Sequence, residues 1–191
     1  MQSQLPRLVM IGDSSVGKTS LVYQMCKGKW EETRPTVATA FYILNGDPAK
    51  GQQDIQIWDT AGAERYRALN SVYYHNAMGG LLVFDLTNRK SFEALPSWHE
   101  EFVSLAQPGA LLVLIGNKSD LSEEIQVPFA EAEEWAKVHD IKFFYTSAKD
   151  NTNINELSEY VLNSMPKNVT FTAISLDQKN KKPQKNSEGC C

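Results

Sequence analysis

The fold this sequence predicts is a three-layer α/β/α sandwich around a mostly parallel six-stranded sheet with one antiparallel strand. Three observations predict it. Apolar strand-like runs alternate with helical stretches along the chain, which is the order of a doubly wound α/β domain. Two of those runs, Leu81-Leu82-Val83-Phe84 and Leu111-Leu112-Val113-Leu114-Ile115, do not alternate in polarity, so they read as strands buried on both faces. A glycine-rich loop, Gly12 to Thr19, joins the first strand to the first helix.

The elements follow in order. Arg7-Leu8-Val9-Met10-Ile11 is apolar and β-prone, and residues 19–26 carry a helix. Residues 41–44 and 55–58 are strands. Asn45-Gly46-Asp47-Pro48 between them is a turn signal, which makes this pair the antiparallel hairpin. Further strands are expected over 81–85, 111–116 and 141–146, with helices over 91–106, 129–138 and 153–164. Asn153-Ile154-Asn155-Glu156 has the form of a capping box, and Pro166 ends the last helix. Beyond residue 167 the hydrophobic periodicity fades, and 178–189 is polar enough to predict disorder. The expected division is a domain over 1–166 and a flexible tail over 167–191. No internal repeat is visible.

Composition narrows the class. The chain has 191 residues, enough for one domain with a substantial core. Hydrophobic residues make up 42% and charged ones 22%, and no apolar run approaches the roughly 18 residues of a membrane span. Gln2, Ser3 and Gln4 make the start polar, so no signal peptide is expected. A net charge of −4 argues against a nucleic-acid partner. The cysteines are Cys26, Cys190 and Cys191, which form no disulfide framework and suit a reducing compartment. His75, His99 and His139 are scattered, without metal-ligand spacing, and suit surface or cap positions. Trp98 and Trp135 are expected to pack helices on the sheet.

Gly12-Asp13-Ser14-Ser15-Val16-Gly17-Lys18-Thr19 is G-x-x-x-x-G-K-[ST] between a strand and a helix, the context that gives this phosphate-loop pattern its meaning. Its backbone N–H groups would cradle phosphate oxygens, and the helix start adds open donors and a positive dipole end. Asp13 to Ser20 are therefore the candidate phosphate-binding residues. Lys18 would reach the β- and γ-phosphates, and the Thr19 hydroxyl would bind Mg²⁺. Asp59-Thr60-Ala61-Gly62 follows the third strand, where a carboxylate can hold Mg²⁺ through water and the Gly62 N–H can meet a γ-phosphate. Asn117-Lys118-Ser119-Asp120 follows the fifth strand, and Ser147-Ala148-Lys149 the sixth. Taken alone, 117–120 could be a polar turn, but beside the phosphate loop it reads as a base-recognition segment.

This ordered set resembles the Ras superfamily of small GTPases and, within it, the Rab family. Gly12-Asp13-Ser14-Ser15-Val16-Gly17-Lys18-Thr19-Ser20, Trp58-Asp59-Thr60-Ala61-Gly62, Glu64-Arg65-Tyr66 and Tyr73-Tyr74 all read as Rab over about residues 5–166. The resemblance implies a Mg²⁺-dependent GTP/GDP switch that hydrolyses GTP slowly and serves vesicle trafficking. It implies that Asp120 accepts two hydrogen bonds from guanine. Asn117 would touch the base or tie the loops, the Lys118 stem would pack over the base, and Ala148 N–H would meet the guanine carbonyl, with Ser147 and Lys149 in the same segment. Adenine lacks the donor pair Asp120 needs, and such a mismatch can discriminate by ~10⁴ or more. Thr36 matches the switch threonine that binds Mg²⁺ with Thr19 and Asp59. Trp30 lies where an aromatic packs on the guanine edge, the plain alternative being a loop anchor. Phe41, Trp58 and Tyr73 match an effector-binding aromatic triad, although a core cluster would use the same residues.

The sequence departs from the family at the first switch, where the stretch from Lys18 to Thr36 is also one residue shorter than usual, and at position 63. Thr36-Val37-Ala38 lacks the usual glycine, and Ala63 stands where a glutamine orients the attacking water. With Lys18, Thr36 and Gly62, position 63 completes the catalytic set. Loss of one transition-state group costs about 3 kcal/mol, or ~10²–10³ in rate. The alternative function is therefore a GTP-locked scaffold with negligible intrinsic hydrolysis. Activating proteins of the TBC type supply an arginine and a glutamine in trans, which would offset Ala63.

Cys190-Cys191 resembles the Rab double-cysteine ending that takes two geranylgeranyl groups, enough for stable anchoring. Lys179, Lys181, Lys182 and Lys185 against Asp177 and Glu188 leave 176–189 at +2, so the remainder holds −6 of the total −4. The asymmetry fits an anionic membrane surface, the plain alternative being a solvated linker. The resemblance places the chain on the cytoplasmic face of an intracellular membrane, cycling with cytosol, and Thr39-Ala40-Phe41 hints at endosomal subfamilies. Implied partners are effectors, an exchange factor, a GTPase-activating protein and an escort or GDP-dissociation inhibitor.

Overall fold

The computed structural model describes residues 5–31, 36, 39–63 and 67–166, the side chains of 67–70 excepted. Six strands form one sheet: β1 Arg7–Ile11, β2 Ala40–Leu44, β3 Ile55–Asp59, β4 Gly79–Asp85, β5 Leu111–Asn117 and β6 Lys142–Tyr145. Their order is β2-β3-β1-β4-β5-β6, and every pairing is parallel except β2 with β3. The turn after Leu44 makes the expected hairpin, with Asp47 capping a 3-10 turn at Pro48–Lys50. The chain leaves β1 to build β2 and β3 on one side, then returns to place β4 on the other. The loop after β1 thus sits at the point where strand order reverses, where open α/β sheets bind ligands.

The helices are α1 Lys18–Lys27, α2 Arg67–Tyr74, α3 Arg89–Glu93, α4 Leu95–Leu105, α5 Phe129–Val138 and α6 Ile154–Ser164. The unalternating strands explain where they sit. Leu81 and Val83 of β4 pack with α1 and α6 through Leu21, Val22, Leu157 and Val161. Leu82 and Phe84 face the opposite way, against Tyr74, Phe92, Trp98, Phe102 and Ala136 of the other helices. Every residue of β4 is buried. Among the described residues no helix is long and apolar enough to cross a membrane.

Four expectations need correction. The single helix over 91–106 is two, because Pro96 has no N–H for the Phe92 carbonyl, and the chain breaks at Ala94. The helix α2, with its polar and aromatic sequence, was not foreseen. Asn153 does not form a capping box: it is left-handed at φ 57, and its Nδ2 donates to the Tyr145 carbonyl at 2.8 Å. The histidines are not all scattered. His99 and His139 lie 4.7 Å apart between ring centroids, and Trp135 stacks on His139 at 3.9 Å. Trp98 does pack its helix on the sheet, and so in part does Trp135. Residues 167–191, which hold Cys190 and Cys191, lie outside the described residues.

Cys26, in the last turn of α1, packs against the α1/α6 side of the core. Burial pushes its thiol up to about 11 from an ordinary 9.0, only partly opposed by Lys27. The folded chain therefore holds this proton between pH 9 and 11 while the unfolded chain has lost it, so this group's contribution to stability falls as pH rises through that window. At pH 8 we expect iodoacetamide to label Cys26 at least about tenfold more slowly than in urea-unfolded protein, read by peptide mass mapping.

Candidate functional site

The loops at the carboxyl ends of β1, β3, β5 and β6 enclose a cavity of about 340 Å³, of the size that holds a small ligand. At one end stand Ser14, Ser15, Gly17, Lys18, Thr19, Ser20, Thr36, Thr60 and Gly62. At the other stand Asn117, Lys118, Asp120, Leu121, Ala148 and Lys149, and Trp30 also lines the cavity. Most residues predicted for the site are thus brought together. Asp13, Val16, Asp59, Ala63 and Ser147 are exceptions, since they do not line it. The Val16 side chain is buried in the core, and the Asp13 carboxylate turns towards α4. Thr60 and Leu121 were not foreseen; Thr60 Oγ1 donates to the Met10 carbonyl at 2.8 Å, binding β3 to β1.

Gly17 starts α1 in the left-handed region at φ 97, and no side chain caps the helix. Glycine brings no side chain to this helix start, which carries the positive dipole end. Lys18 is 6% exposed, with Nζ donating to the Gly12 and Asp13 carbonyls, each at 2.7 Å. Burial pulls its pKa down to about 8, against the opposing charges of Asp59 and Asp13. A Cβ on Gly62 would fall within 2.3 Å of Lys18 Nζ and 2.4 Å of the Asp13 oxygen, so only glycine lets that backbone close on the ammonium.

Beside Lys18 lies a set of hard oxygen donors. Thr19 Oγ1 donates to Asp59 Oδ2 at 2.7 Å and is 2.9 Å from Thr36 Oγ1, which itself reaches Asp59 Oδ2 at 3.4 Å. Burial raises the Asp59 pKa, opposed by the Thr19 hydrogen bond and the Lys18 charge. Asp59 Oδ1 is buried and accepts no hydrogen bond from any described group. Hydroxyl and carboxylate oxygens, with one buried carboxylate oxygen unpaired, fit a small hard cation such as Mg²⁺.

The other end is cross-linked. Asn117 is 2% exposed; its Nδ2 donates to the Val16 carbonyl at 2.9 Å, and its Oδ1 accepts from Thr146 Oγ1 and Ala148 N, both at 3.3 Å. It therefore ties the loops after β1, β5 and β6, one of the two roles foreseen for it. Asp120 Oδ1 accepts from Ser147 Oγ at 2.6 Å, and the same hydroxyl oxygen takes the Lys149 N–H at 3.2 Å. Lys118, left-handed at φ 68, pairs through Nζ with Asp85 Oδ2 at 2.6 Å. Sequence reasoning missed Asp85, although Asp85-Leu86-Thr87 after a buried strand has the form of an Asx turn. Its Oδ1 accepts from Thr87 N and Oγ1 at 2.9 and 2.7 Å.

Phe41, Trp58 and Tyr73 meet at the edge of the sheet. Phe41 faces Trp58 across the β2/β3 hairpin, their centroids 4.7 Å apart, and Tyr73 meets the other side of Trp58 at 5.5 Å. Phe41 is exposed, while Trp58 and Tyr73 are half-buried against the core, as the core-cluster reading expects of them. Arg7 lies over the Trp58 ring at 4.0 Å. Val37, Ala38 and 64–66 lie outside the described residues; Ala63 is described and half-buried.

A family model described as "Ras family" matches residues 7–167. Over the full length the chain is similar to Ras-related protein Rab-7a of Paramecium octaurelia, 36% identical and covering 98% of it. Ras-related protein Rab-39A of Homo sapiens is 42% identical over 78% of this chain and 72% of its own. Ras-related protein Rab-17 of Mus musculus is 36% identical, with 100% of this chain and 92% of its own covered.

The Asn117 cross-link is open to test. Truncating a buried group that serves three partners strands a carbonyl and an N–H. We expect Asn117→Ala to lower the unfolding free energy by about 2–4 kcal/mol in urea at fixed ligand concentration.

Proposed function

This chain belongs to the Ras family and, within it, to the Rab small GTPases, and from that premise we propose that it is a Mg²⁺-dependent GTP/GDP switch. One observation carries the reading. A single cavity is lined by Lys18, Thr19 and Thr36 near one end, with Asp59 hydrogen-bonded to both hydroxyls, and by Asp120 at the other, which is the layout a guanosine phosphate requires.

The roles follow from the groups. Backbone N–H groups of 13–20 and of Gly62 bind phosphate oxygens, and Lys18, kept in place by its two carbonyl partners, turns its third N–H to them. Thr19, Thr36 and Asp59 hold Mg²⁺, which when bound neutralises developing phosphate charge. Asp120 receives the guanine N–H pair, oriented by Ser147. Ala148 offers its N–H to the base carbonyl in place of Asn117 Oδ1, and Lys118 and Trp30 flank the ring. Thr36 and Gly62 sense the γ-phosphate, and hydrolysis releases them. In the GTP state Phe41, Trp58 and Tyr73 recruit trafficking effectors. Cys190 and Cys191, carrying geranylgeranyl groups, anchor residues 167–191 to a cytoplasmic membrane face. An exchange factor, a GTPase-activating protein and an escort that extracts the GDP form complete the cycle.

Ala63 favours a second reading, a GTP-held scaffold. Its methyl group has no atom to orient water, so unaided hydrolysis is slow and the GTP form persists. GTP retained in the purified protein supports that reading, and GDP argues against it.

Two measurements check the mechanism. In single-turnover hydrolysis of Mg²⁺-GTP, Ala63→Gln should be at least tenfold faster than wild type. Equal rates well above background would mean that another group positions the water. With an activating protein that brings its own glutamine, the gain from Ala63→Gln should shrink; equal gains with and without it would refute the trans supply.

A further inference from the structure

One buried side chain outside the site is bonded to its phosphate loop. Trp98, in the first turn of α4, is 2% exposed, and its Nε1–H donates to Asp13 Oδ1 at 2.7 Å across 85 residues of sequence. The indole is a donor only, so the direction of this bond is fixed. A carboxylate acceptor makes it charge-assisted and short.

Asp13 is an awkward residue for its place. It sits in a loop that gathers donors towards one cavity, between Gly12 and the cavity-lining Ser14, yet it brings a negative charge. Turned inwards, that charge would face the anion the loop is built to hold. The Trp98 bond keeps it turned out, and Asp13 is absent from the cavity lining. The backbone of the same residue has two further duties. Its carbonyl accepts Lys18 Nζ at 2.7 Å, and it is the backbone that Gly62 approaches too closely to allow a Cβ. Residue 13 is therefore held at three points: by α4 through its side chain, by Lys18 through its carbonyl, and by the Gly62 loop through contact.

We propose that Trp98 is a positioning residue for bound nucleotide: its indole N–H holds the Asp13 carboxylate away from the phosphates and so fixes the carbonyl that sets Lys18 against Gly62. The inference rests on the guanine-nucleotide reading above. Trp98 touches no ligand and acts only through Asp13. The donor is anchored by the core, since Trp98 packs with Phe102, Leu95 and the sheet residues Ile11 and Leu82. The geometry of the loop is thus tied to the helix layer and not to the loop alone.

The test uses the full chain and the dissociation rate of a fluorescent GDP in Mg²⁺ buffer. Trp98 is replaced by 3-benzothienylalanine, which keeps the ring shape and puts sulfur in place of N–H, and separately by Phe. Both should raise the dissociation rate at least fivefold, while the isostere melts within a few degrees of wild type. Asp13→Ala should raise it as well, and Trp98→Phe should then add less than twofold, because the bond is already gone. Wild-type dissociation from the isostere, or two substitutions whose effects multiply, would overturn the proposal. If the wild type binds no guanine nucleotide, the reading beneath it falls instead. The tie itself is then judged by NMR: slow exchange of the Trp98 indole proton that becomes fast in Asp13→Ala supports it, and fast exchange in the wild type overturns it.

Discussion

A lysine ammonium buried at the carboxyl end of a parallel sheet sets the terms for everything around it. Removing a charge from water is expensive unless hydrogen bonds and opposite charge replace the hydration. Here the Gly12 and Asp13 carbonyls supply the bonds and Asp59 supplies the charge, yet burial still pulls Lys18 down to about 8. The compensation is incomplete, and that residual deficit favours an anion. The loop must curl back over its own lysine to present two carbonyls, Gly17 must be left-handed to start the helix there, and Gly62 must lack a side chain to come near. Each of these oddities follows from the position of one cation.

The two ends of the cavity are built differently. At the base end the loops after β1, β5 and β6 are joined through one buried amide, Asn117, and Lys118 and Asp120 are each held by a second residue, Asp85 and Ser147. Such a network fixes a shape before any ligand arrives. At the phosphate end Thr36 reaches Asp59 at only 3.4 Å, and Asp59 keeps one oxygen unpaired. Its geometry is completed by what binds there. A site with one rigid end and one ligand-completed end suits recognition of a base combined with a response to the number of phosphates.

Much of this was legible in the sequence, for a definable reason. The strands, the hairpin turn and the four strand-end motifs are local patterns, each readable within ten residues. Their meeting in one cavity follows from the rule that parallel strands end on the same edge. What was not legible depends on contacts between distant residues or on one backbone angle. The Trp98–Asp13 bond spans 85 positions, and the Lys118–Asp85 pair joins two strand ends. The meeting of His99 and His139 needs α4 and α5 side by side. Asn153 has the composition of a capping box, but its left-handed φ sends the side chain elsewhere. The helix over 67–74 has helical spacing at Leu69, Val72 and Tyr73, but at 8 residues it is too short to announce itself.

Strand geometry also explains how events at the cavity reach the surface. Successive side chains on a strand point to opposite faces. Asp59 ends β3 pointing into the oxygen cluster, so Trp58, one residue earlier, must point to the other side, where it meets Phe41, Tyr73 and Arg7. The antiparallel register repeats the arrangement, with Ala40 opposite Asp59 and Phe41 opposite Trp58. A shift of the Asp59 backbone by any ligand that binds its carboxylate therefore moves Trp58 with it. The Trp58 indole N–H is buried and accepted by no described group, so no hydrogen bond through that N–H resists the motion. The aromatic trio is thus one peptide unit from the carboxylate that holds the Thr19 and Thr36 hydroxyls.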